Sequence, residues 1–199
     1  MLDEAAFPAY AHRNLLIDRI FWGRLAAAER YLAARPPKAV LDFGCGSGVM
    51  SYILSGLAER VVATDIEPAT FHLMRSAVDF PPNIVFASAL EIGEERYQQS
   101  FDAILALDVL EHVEDLEAVL LRFQKLLRPG GIVVISGPTE NALYRLGRRL
   151  AGHRFTGEYH VSDIDRIEAK CRRHGSIQPI ATIYRLLPLF RIFSLQFDK

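Results

Sequence analysis

The chain has 199 residues, half of them hydrophobic, and a formal net charge of −1 at pH 7. This length predicts a single domain, residues 1–199, with enough chain for a sizeable core. The near-neutral charge argues against nucleic acid as a partner, and no apolar run approaches the roughly 18–20 residues of a membrane span. The start of the chain lacks the pattern of a signal peptide, and both cysteines are interpreted as reduced thiols, so a cytoplasmic location is predicted.

Helical and strand patterns alternate along the chain. An apolar stripe at helical spacing predicts an N-terminal helix at 14–34. A core at 38–137 follows, then an insertion at 138–162 and a last segment at 163–199 with one helix and two strands. The alternation is typical of an α/β, doubly wound and mostly parallel sheet with helices on both faces. Strands are predicted at 38–43, 60–65, 83–87, 101–107, 131–137, 176–184 and 189–197, and helices at 47–58, 68–78, 91–98, 115–127 and 162–174.

The most informative stretch is Val40–Gly48, a short apolar strand followed by a glycine-rich turn. Bare glycine backbone and a helix N-terminus let a nucleotide-like ligand approach closely. A Walker loop is excluded, because Val49 follows the last glycine where a lysine is needed. The G-x-G-x-G spacing also differs from the dinucleotide fingerprint. Asp42 would repel a pyrophosphate but favours a positively charged ligand, and S-adenosylmethionine is such a ligand.

A second acidic residue, Asp65, ends the next predicted strand about twenty residues further on. An acid at this place in a βαβ unit accepts hydrogen bonds from a ribose diol. The alternative interpretation is that Asp42 and Asp65 only cap helices and that the glycines only form a turn. The combination of a glycine loop with a spaced acid favours the cofactor site.

Four segments resemble class I S-adenosylmethionine-dependent methyltransferases of the small-molecule type in order and spacing: Val40–Gly48, Val61–Glu67, Phe101–Val113 and Leu127–Ile135. The branch that the chain resembles includes the ubiquinone-type O-methyltransferases, which carry a similar V-L-E-H-V. The resemblance implies a Rossmann-like sheet of seven strands, with the last strand antiparallel beside the sixth.

Ligands of such sheets bind outside the carboxyl ends of the strands, which selects the residues predicted to bind the cofactor. The resemblance implies that Asp65 holds the ribose and that Ile66 packs on the adenine. Ser88 stands where the family usually has an aspartate, so a weaker hydrogen bond to the adenine is expected. The predicted set is Asp42, Gly44, Cys45, Gly46, Gly48, Asp65, Ile66, Ser88, Ala89, Leu107, Asp108 and Val109.

Two histidines, His112 and His160, are the candidate catalytic bases, because a hydroxyl acceptor must lose its proton. For His112, the alternative is a role as a metal ligand. If the turn after the fourth strand is helical, Asp108, Glu111 and His112 share one face and could hold a divalent cation, which the resemblance also associates with the ubiquinone-type branch. Otherwise His112 lines the acceptor pocket and Glu111 pairs with an arginine.

The insertion at 138–162 is locally basic. Its arginines could recognise a phosphate or carboxylate on the acceptor or rest on anionic lipid headgroups as a peripheral membrane contact. They could equally be solvated on a covering helix. The predicted substrate contacts are Tyr10, Arg145, Arg148, Arg149 and Tyr159.

The sequence therefore predicts methyl transfer from S-adenosylmethionine to a small-molecule acceptor, anionic or lipid-linked, by in-line displacement at a hydroxyl. Two other classes of function stay open. One is a non-catalytic S-adenosylmethionine-binding scaffold. The other is an NAD-dependent dehydrogenase, which the glycine spacing disfavours. Nucleic-acid methylation is disfavoured because no [Asn/Asp]-Pro-Pro-[Tyr/Phe] sequence follows the fourth strand.

Overall fold

The computed structural model describes residues 15–139, 162–184 and 188–198. Nearly all of the predicted insertion lies outside these ranges. The strands are β1 (Ala39–Phe43), β2 (Arg60–Thr64), β3 (Ile84–Phe86), β4 (Phe101–Leu107), β5 (Leu127–Pro138), β6 (Gly175–Ile183) and β7 (Phe190–Phe197). The α-helices within these ranges are α1 (Leu15–Ala33), α2 (Val49–Ser55), α3 (Ala69–Ala77), α4 (Leu116–Leu126) and α5 (Ile164–Cys171).

The strands form one sheet in the order β3-β2-β1-β4-β5-β7-β6. Neighbouring pairs among β1 to β5 are parallel, whereas β7 enters between β5 and β6 and is antiparallel to both. The predicted doubly wound sheet with an antiparallel last strand is therefore confirmed. The strand order reverses beside β1, so the loops after β1 and β4 leave the same edge of the sheet in different directions. Such a switch point is where ligands bind in open α/β sheets.

Hydrophobic layers cover both faces of the sheet. Successive strand residues point to opposite faces, so Leu41 joins one layer and Val40 the other. The helices α4 and α5 pack on the first layer, and α1 and α2 on the second. Residues such as Leu120 and Leu54 are fully buried, and each contributes about 2 kcal/mol through burial of its side chain.

Most element boundaries lie within three residues of the predicted ones, and the differences at α2, at 91–98 and at β5 are the most informative. The helix after the glycines begins at Val49 rather than at 47, because Gly48 has a φ of 82° and a left-handed residue cannot belong to the helix. The predicted helix at 91–98 is two short 3₁₀ turns. Strand β5 begins directly after α4, four residues before its predicted start at 131.

Candidate cofactor and active site

The glycine loop between β1 and α2 carries three glycines with positive φ, namely Gly44, Gly46 and Gly48. A Cβ at Gly44 would lie 2.3 Å from the Cγ2 of Val109, and one at Gly48 would lie 2.9 Å from the ring of Phe71. Gly46 differs, because a Cβ there would meet nothing within 4 Å. The outer glycines are thus required by packing inside the protein, whereas the middle one leaves its backbone bordering open space.

Asp65 is fixed against this loop. The Gly46 N–H donates to its Oδ2 at 2.8 Å, and the Glu67 N–H donates to its Oδ1 at 2.9 Å. A carboxylate oxygen can accept more than one hydrogen bond, so Asp65 still has acceptor capacity at the edge of the sheet. The capping interpretation and the ligand interpretation are therefore compatible, since the bonds that shape the loop also place the carboxylate.

Asp42 lies inside the protein, with 3% of its surface exposed. The Ser51 hydroxyl donates to its Oδ2 at 2.5 Å, which links β1 to the first turn of α2. Burial raises the pKa of Asp42 to about 6, and the negative charge of Asp65 adds to this, although the Ser51 hydrogen bond opposes it. Two carboxyl groups close enough to influence each other make this side of the loop a favourable place for positive charge.

Two apolar residues of the predicted set are Cys45, which lies in the glycine loop, and Leu107, which ends β4. The Cys45 N–H donates to the Thr64 carbonyl at 3.0 Å, and the Gly44 N–H donates to the same oxygen at 2.8 Å. Burial raises the pKa of the Cys45 thiol, so this group stays neutral and acts as a small apolar side chain. Leu107 is half-buried at the end of β4.

Two large apolar side chains at the same edge of the sheet as the glycine loop are exposed to solvent. Ile66 follows β2 and Leu90 follows β3, and each is 89% exposed. Because β2 and β3 are parallel neighbours, these residues leave the same edge of the sheet. Exposed aliphatic side chains next to a ligand cleft are suited to pack against a flat ring such as adenine. Leu90 was absent from the predicted set.

Ser88 lies just before the first 3₁₀ turn, Glu91–Gly93. Its N–H donates to Glu91 Oε2 at 2.7 Å, and the Glu91 N–H donates to Ser88 Oγ at 3.3 Å, which is a reciprocal capping box. The backbone hydrogen bond from Ser88 lowers the pKa of Glu91. The neighbouring Ala89 carbonyl accepts a hydrogen bond from Arg122. The S-x-x-E pattern at 88–91 carries the signal for this cap, which the expectation of an adenine ligand missed.

Asp108 has a left-handed backbone, with a φ of 56°. Its Oδ1 accepts a hydrogen bond from Ser136 Oγ at 2.7 Å, and its Oδ2 forms an ion pair with Arg24 of α1. Arg24 is 2% exposed, and its guanidinium carbon lies 4.3 Å from the ring centroid of Phe21 and 4.6 Å from that of Phe190. Arg24 was absent from the predicted site residues, although its position at helical spacing from the apolar residues Ile20 and Phe21 was the available signal.

The structure does not bring together the three side chains of the alternative metal site, Asp108, Glu111 and His112. Residues 110–112 form a 3₁₀ turn, and Asp108 precedes it in a left-handed conformation, so the spacing rule of an α-helix does not apply. Glu111 is 2% exposed, whereas His112 is exposed, and Asp108 is occupied by Arg24. In the part of the chain that the structure describes, no three His, Cys, Asp or Glu side chains are grouped to hold a metal ion.

The remaining predicted site residues lie outside the described ranges. This applies to the second candidate base and to the predicted substrate contacts, which are His160, Tyr10, Arg145, Arg148, Arg149 and Tyr159. Their roles stay predictions. His112, the first candidate base, lies at the same edge of the sheet as the glycine loop, because it follows β4.

Comparison with known proteins decides the family. A family model described as a methyltransferase domain matches residues 17–187. The chain belongs to the methyltransferase domain family. Together with the strand order, this confirms the class I fold that the four sequence segments predicted. No helix within the described ranges of this methyltransferase domain combines the length and apolar character needed to cross a bilayer.

Among curated proteins, the chain is similar to enzymes named ubiquinone biosynthesis O-methyltransferase. The protein from Xanthomonas campestris pv. campestris strain B100 is 35% identical over 114 residues, which cover 53% of this chain and 46% of that protein. The protein from Cereibacter sphaeroides strain ATCC 17029 is 34% identical over 142 residues, which cover 67% of this chain and 56% of that protein. The methyltransferase domain thus spans about half the length of the curated relatives it matches.

Solved structures share the fold. The N-methyltransferase NodS from Bradyrhizobium japonicum WM9, in complex with S-adenosyl-L-homocysteine, has a TM-score of 0.69 at 16% identity and covers 100% of this chain and 99% of its own. The PH0226 protein from Pyrococcus horikoshii OT3 has a TM-score of 0.67 at 17% identity, with 96% of both chains covered. At these identities the likeness concerns the fold alone.

Proposed function

We propose that this domain binds S-adenosylmethionine at the carboxyl edge of its sheet and transfers the methyl group to a hydroxyl of a small-molecule acceptor. The observation that carries the proposal is the geometry of the glycine loop. Gly46 borders open space in a left-handed conformation, and its N–H is bonded to the carboxylate that would hold a ribose. Membership of the methyltransferase domain family supports the same cofactor.

Electrostatics favour this cofactor over a dinucleotide. The loop is flanked by Asp42 and Asp65, whose carboxyl groups influence each other through charge. A pyrophosphate would be repelled there, whereas the α-ammonium and sulfonium groups of S-adenosylmethionine would be attracted. Ile66 and Leu90 would then lie on the adenine. This argues against the dehydrogenase alternative.

The side chains of this domain would orient the cofactor and the acceptor and would remove the proton of the acceptor hydroxyl. None of them would become part of the product. Bound S-adenosylmethionine supplies an electrophilic methyl on a good leaving group. Asp65 and the glycine loop would set the position of this methyl, and in-line placement of the acceptor oxygen provides most of the acceleration. His112 is the candidate to take the hydroxyl proton, since it follows β4 at the same edge.

The acceptor class rests on the relatives. The similar curated proteins are named for ubiquinone biosynthesis and O-methylation, so phenolic quinone precursors are the first acceptors to test. Acceptors of other classes, including sugars and small acids, complete the panel.

The test combines calorimetric titration with a methyl-transfer assay on this panel. We expect micromolar binding of S-adenosylmethionine, no binding of NAD, and product formation with at least one phenol. Tight cofactor binding without turnover on any acceptor would support the non-catalytic scaffold instead. Absence of cofactor binding would overturn the proposal.

A further inference from the structure

A cavity of about 660 Å³ opens at the edge of the sheet opposite the glycine loop. It lies between the end of α1, the turn at Pro36–Lys38 and the starts of β4 and β5, with β6 and β7 on its far side. Strands β1, β4 and β5 are parallel. The residues that precede them therefore lie at the opposite edge from those that follow them. The cavity is separate from the proposed cofactor site.

The part of the sheet that lines this cavity is polar, with Ser176, Gln178 and Gln196 exposed to solvent and Ser194 buried. Ile192, Ser194 and Gln196 alternate along β7 and so share one face, and Ile192 belongs to the apolar layer under α1. Beyond it the face continues with Ser194 and Gln196. Directly opposite, on β6, lie Gln178 and Ser176. Four polar side chains, paired across two strands, thus line a cavity under a helix.

Part of this polar face is held in place by α1. Ser194 is 4% exposed, and its Oγ lies 2.8 Å from the hydroxyl of Tyr31. The Tyr31 hydroxyl in turn donates to Gln178 Oε1 at 3.4 Å. If Ser194 donates to Tyr31, this chain of bonds satisfies all three groups, and the amide N–H groups of Gln178 stay available as donors. The cavity therefore has an ordered polar wall.

The mouth of the cavity carries an excess of positive charge. Arg35, Lys38 and Arg128 line it together with one acid, Asp102. Asp102 accepts hydrogen bonds from the backbone N–H groups of Lys38 and Ala39, at 2.9 and 2.8 Å, and from the Arg128 guanidinium at 2.9 Å. Asp102 therefore neutralises Arg128. Within the described part of the chain, neither Arg35 nor Lys38 has a carboxylate at ion-pair distance, although the whole chain is slightly acidic.

We propose that this cavity is a second ligand site that binds a small hydroxylated phosphate ester. The cations Arg35 and Lys38 would hold the phosphate at the mouth, and the polar wall around Gln178 would bind the hydroxyl groups. The volume suits a sugar phosphate, since sites for small molecules range from about 300 to 1,000 Å³. The inference does not depend on the proposed methyl transfer, because it concerns the other edge of the sheet.

The test is titration of the full chain with ribose 5-phosphate, and with ribose as the uncharged match. We expect saturable binding of the phosphate ester at millimolar concentration or below, and none of ribose. The double variant Arg35→Ala/Lys38→Ala should weaken binding by about tenfold or more, since a single hydrogen bond to a charged group changes affinity by a factor of this order. The control Arg75→Ala/Arg166→Ala removes the same charge from residues outside the cavity and should change binding less than about twofold.

A second variant separates the hydroxyl contacts from the charge. Gln178→Leu should weaken the binding of ribose 5-phosphate by about threefold to tenfold and leave the affinity for inorganic phosphate unchanged. Three results would overturn the proposal: no saturation of the wild type, equal weakening in both double variants, or equal affinity for inorganic phosphate and the ester. Addition of S-adenosylmethionine at saturation should not displace ribose 5-phosphate. Displacement would place the ligand in the other site and would also overturn the proposal.

Discussion

Arg24 of the N-terminal helix and Asp108, which follows β4, form an ion pair across the edge of the sheet where the glycine loop lies. Ser136 of β5 donates to the same carboxylate. One acidic side chain thus joins α1, β4 and β5. The positive φ of Asp108 costs of order 1 kcal/mol, and such a conformation persists only where the surroundings enforce it.

Removal of Arg24 should therefore destabilise the domain. Arg24→Met leaves Asp108 without its ion-pair partner, and we expect a loss of about 3 kcal/mol in the free energy of unfolding, typical of breaking a buried pair from one side. Arg24→Met/Asp108→Asn should lose clearly less than the two single variants added together. Urea unfolding measures all three. Arg19→Met, at an exposed position of the same helix, is the control, and additive losses would contradict a coupling between the two residues.

Gly46 and Gly130 make a matched pair for testing the cofactor site. Both have positive φ, and a Cβ at either meets nothing within 4 Å. Substitution by alanine should cost each about 1 kcal/mol of stability from the left-handed backbone. Only Gly46→Ala should weaken the binding of S-adenosylmethionine, by about a hundredfold, because the added methyl group would occupy the space where the ligand lies. Calorimetric titration measures the affinity of both variants for S-adenosylmethionine. Equal affinities in the two variants would show that Gly46 does not border the cofactor.

Asp42 makes stability depend on pH. Burial raises its pKa from 3.8 to about 6, so the folded state holds this proton more tightly than the unfolded chain does. Its stabilising contribution is present in full below pH 3.8 and is lost as the pH rises through about 6. The loss at pH 7 is about 3 kcal/mol. Relative to wild type, Asp42→Asn should gain about this much in free energy of unfolding between pH 4 and 7, and a constant difference would contradict the assignment.

The same group should couple cofactor binding to protons. A cationic ligand beside the loop favours the ionised form of Asp42, so binding of S-adenosylmethionine should strengthen by about tenfold between pH 5 and 7. Asp42→Asn should lose this dependence. S-adenosylhomocysteine, which lacks the sulfonium charge, should show a smaller dependence in the wild type.

The fold followed from the sequence because its signals are local. Alternating apolar runs gave every strand, and the glycine loop with Asp65 gave the proposed cofactor edge. Contacts between distant segments were not predictable in this way. Arg24 and Asp108 are far apart in the chain, and the sequence around either residue does not indicate that the two form an ion pair. The metal alternative required an α-helical turn at 110–112, and the 3₁₀ geometry of this turn, which the sequence does not reveal, keeps Asp108, Glu111 and His112 from sharing one face.

Ile66 and Leu90 should each contribute to affinity through contact with the adenine ring. Both are 89% exposed, so Ile66→Ser and Leu90→Ser should leave the free energy of unfolding within about 0.5 kcal/mol of wild type. Each variant should weaken the binding of S-adenosylmethionine by about tenfold, because about 1.5 kcal/mol of binding free energy from apolar burial is lost. Val85→Ser, on exposed surface of β3, is the control. Unchanged affinity in Leu90→Ser would show that the adenine lies elsewhere.

His112 should affect the chemical step and not cofactor binding. With a phenolic acceptor, His112→Gln should lower kcat by about a hundredfold, the usual contribution of a general base, while the Kd of S-adenosylmethionine stays within about twofold. Acceptors with electron-withdrawing substituents are ionised already and need no base, so the deficit should shrink as the phenol becomes more acidic. A deficit that stays the same across such a series would mean that His112 positions the acceptor and that another group takes the proton.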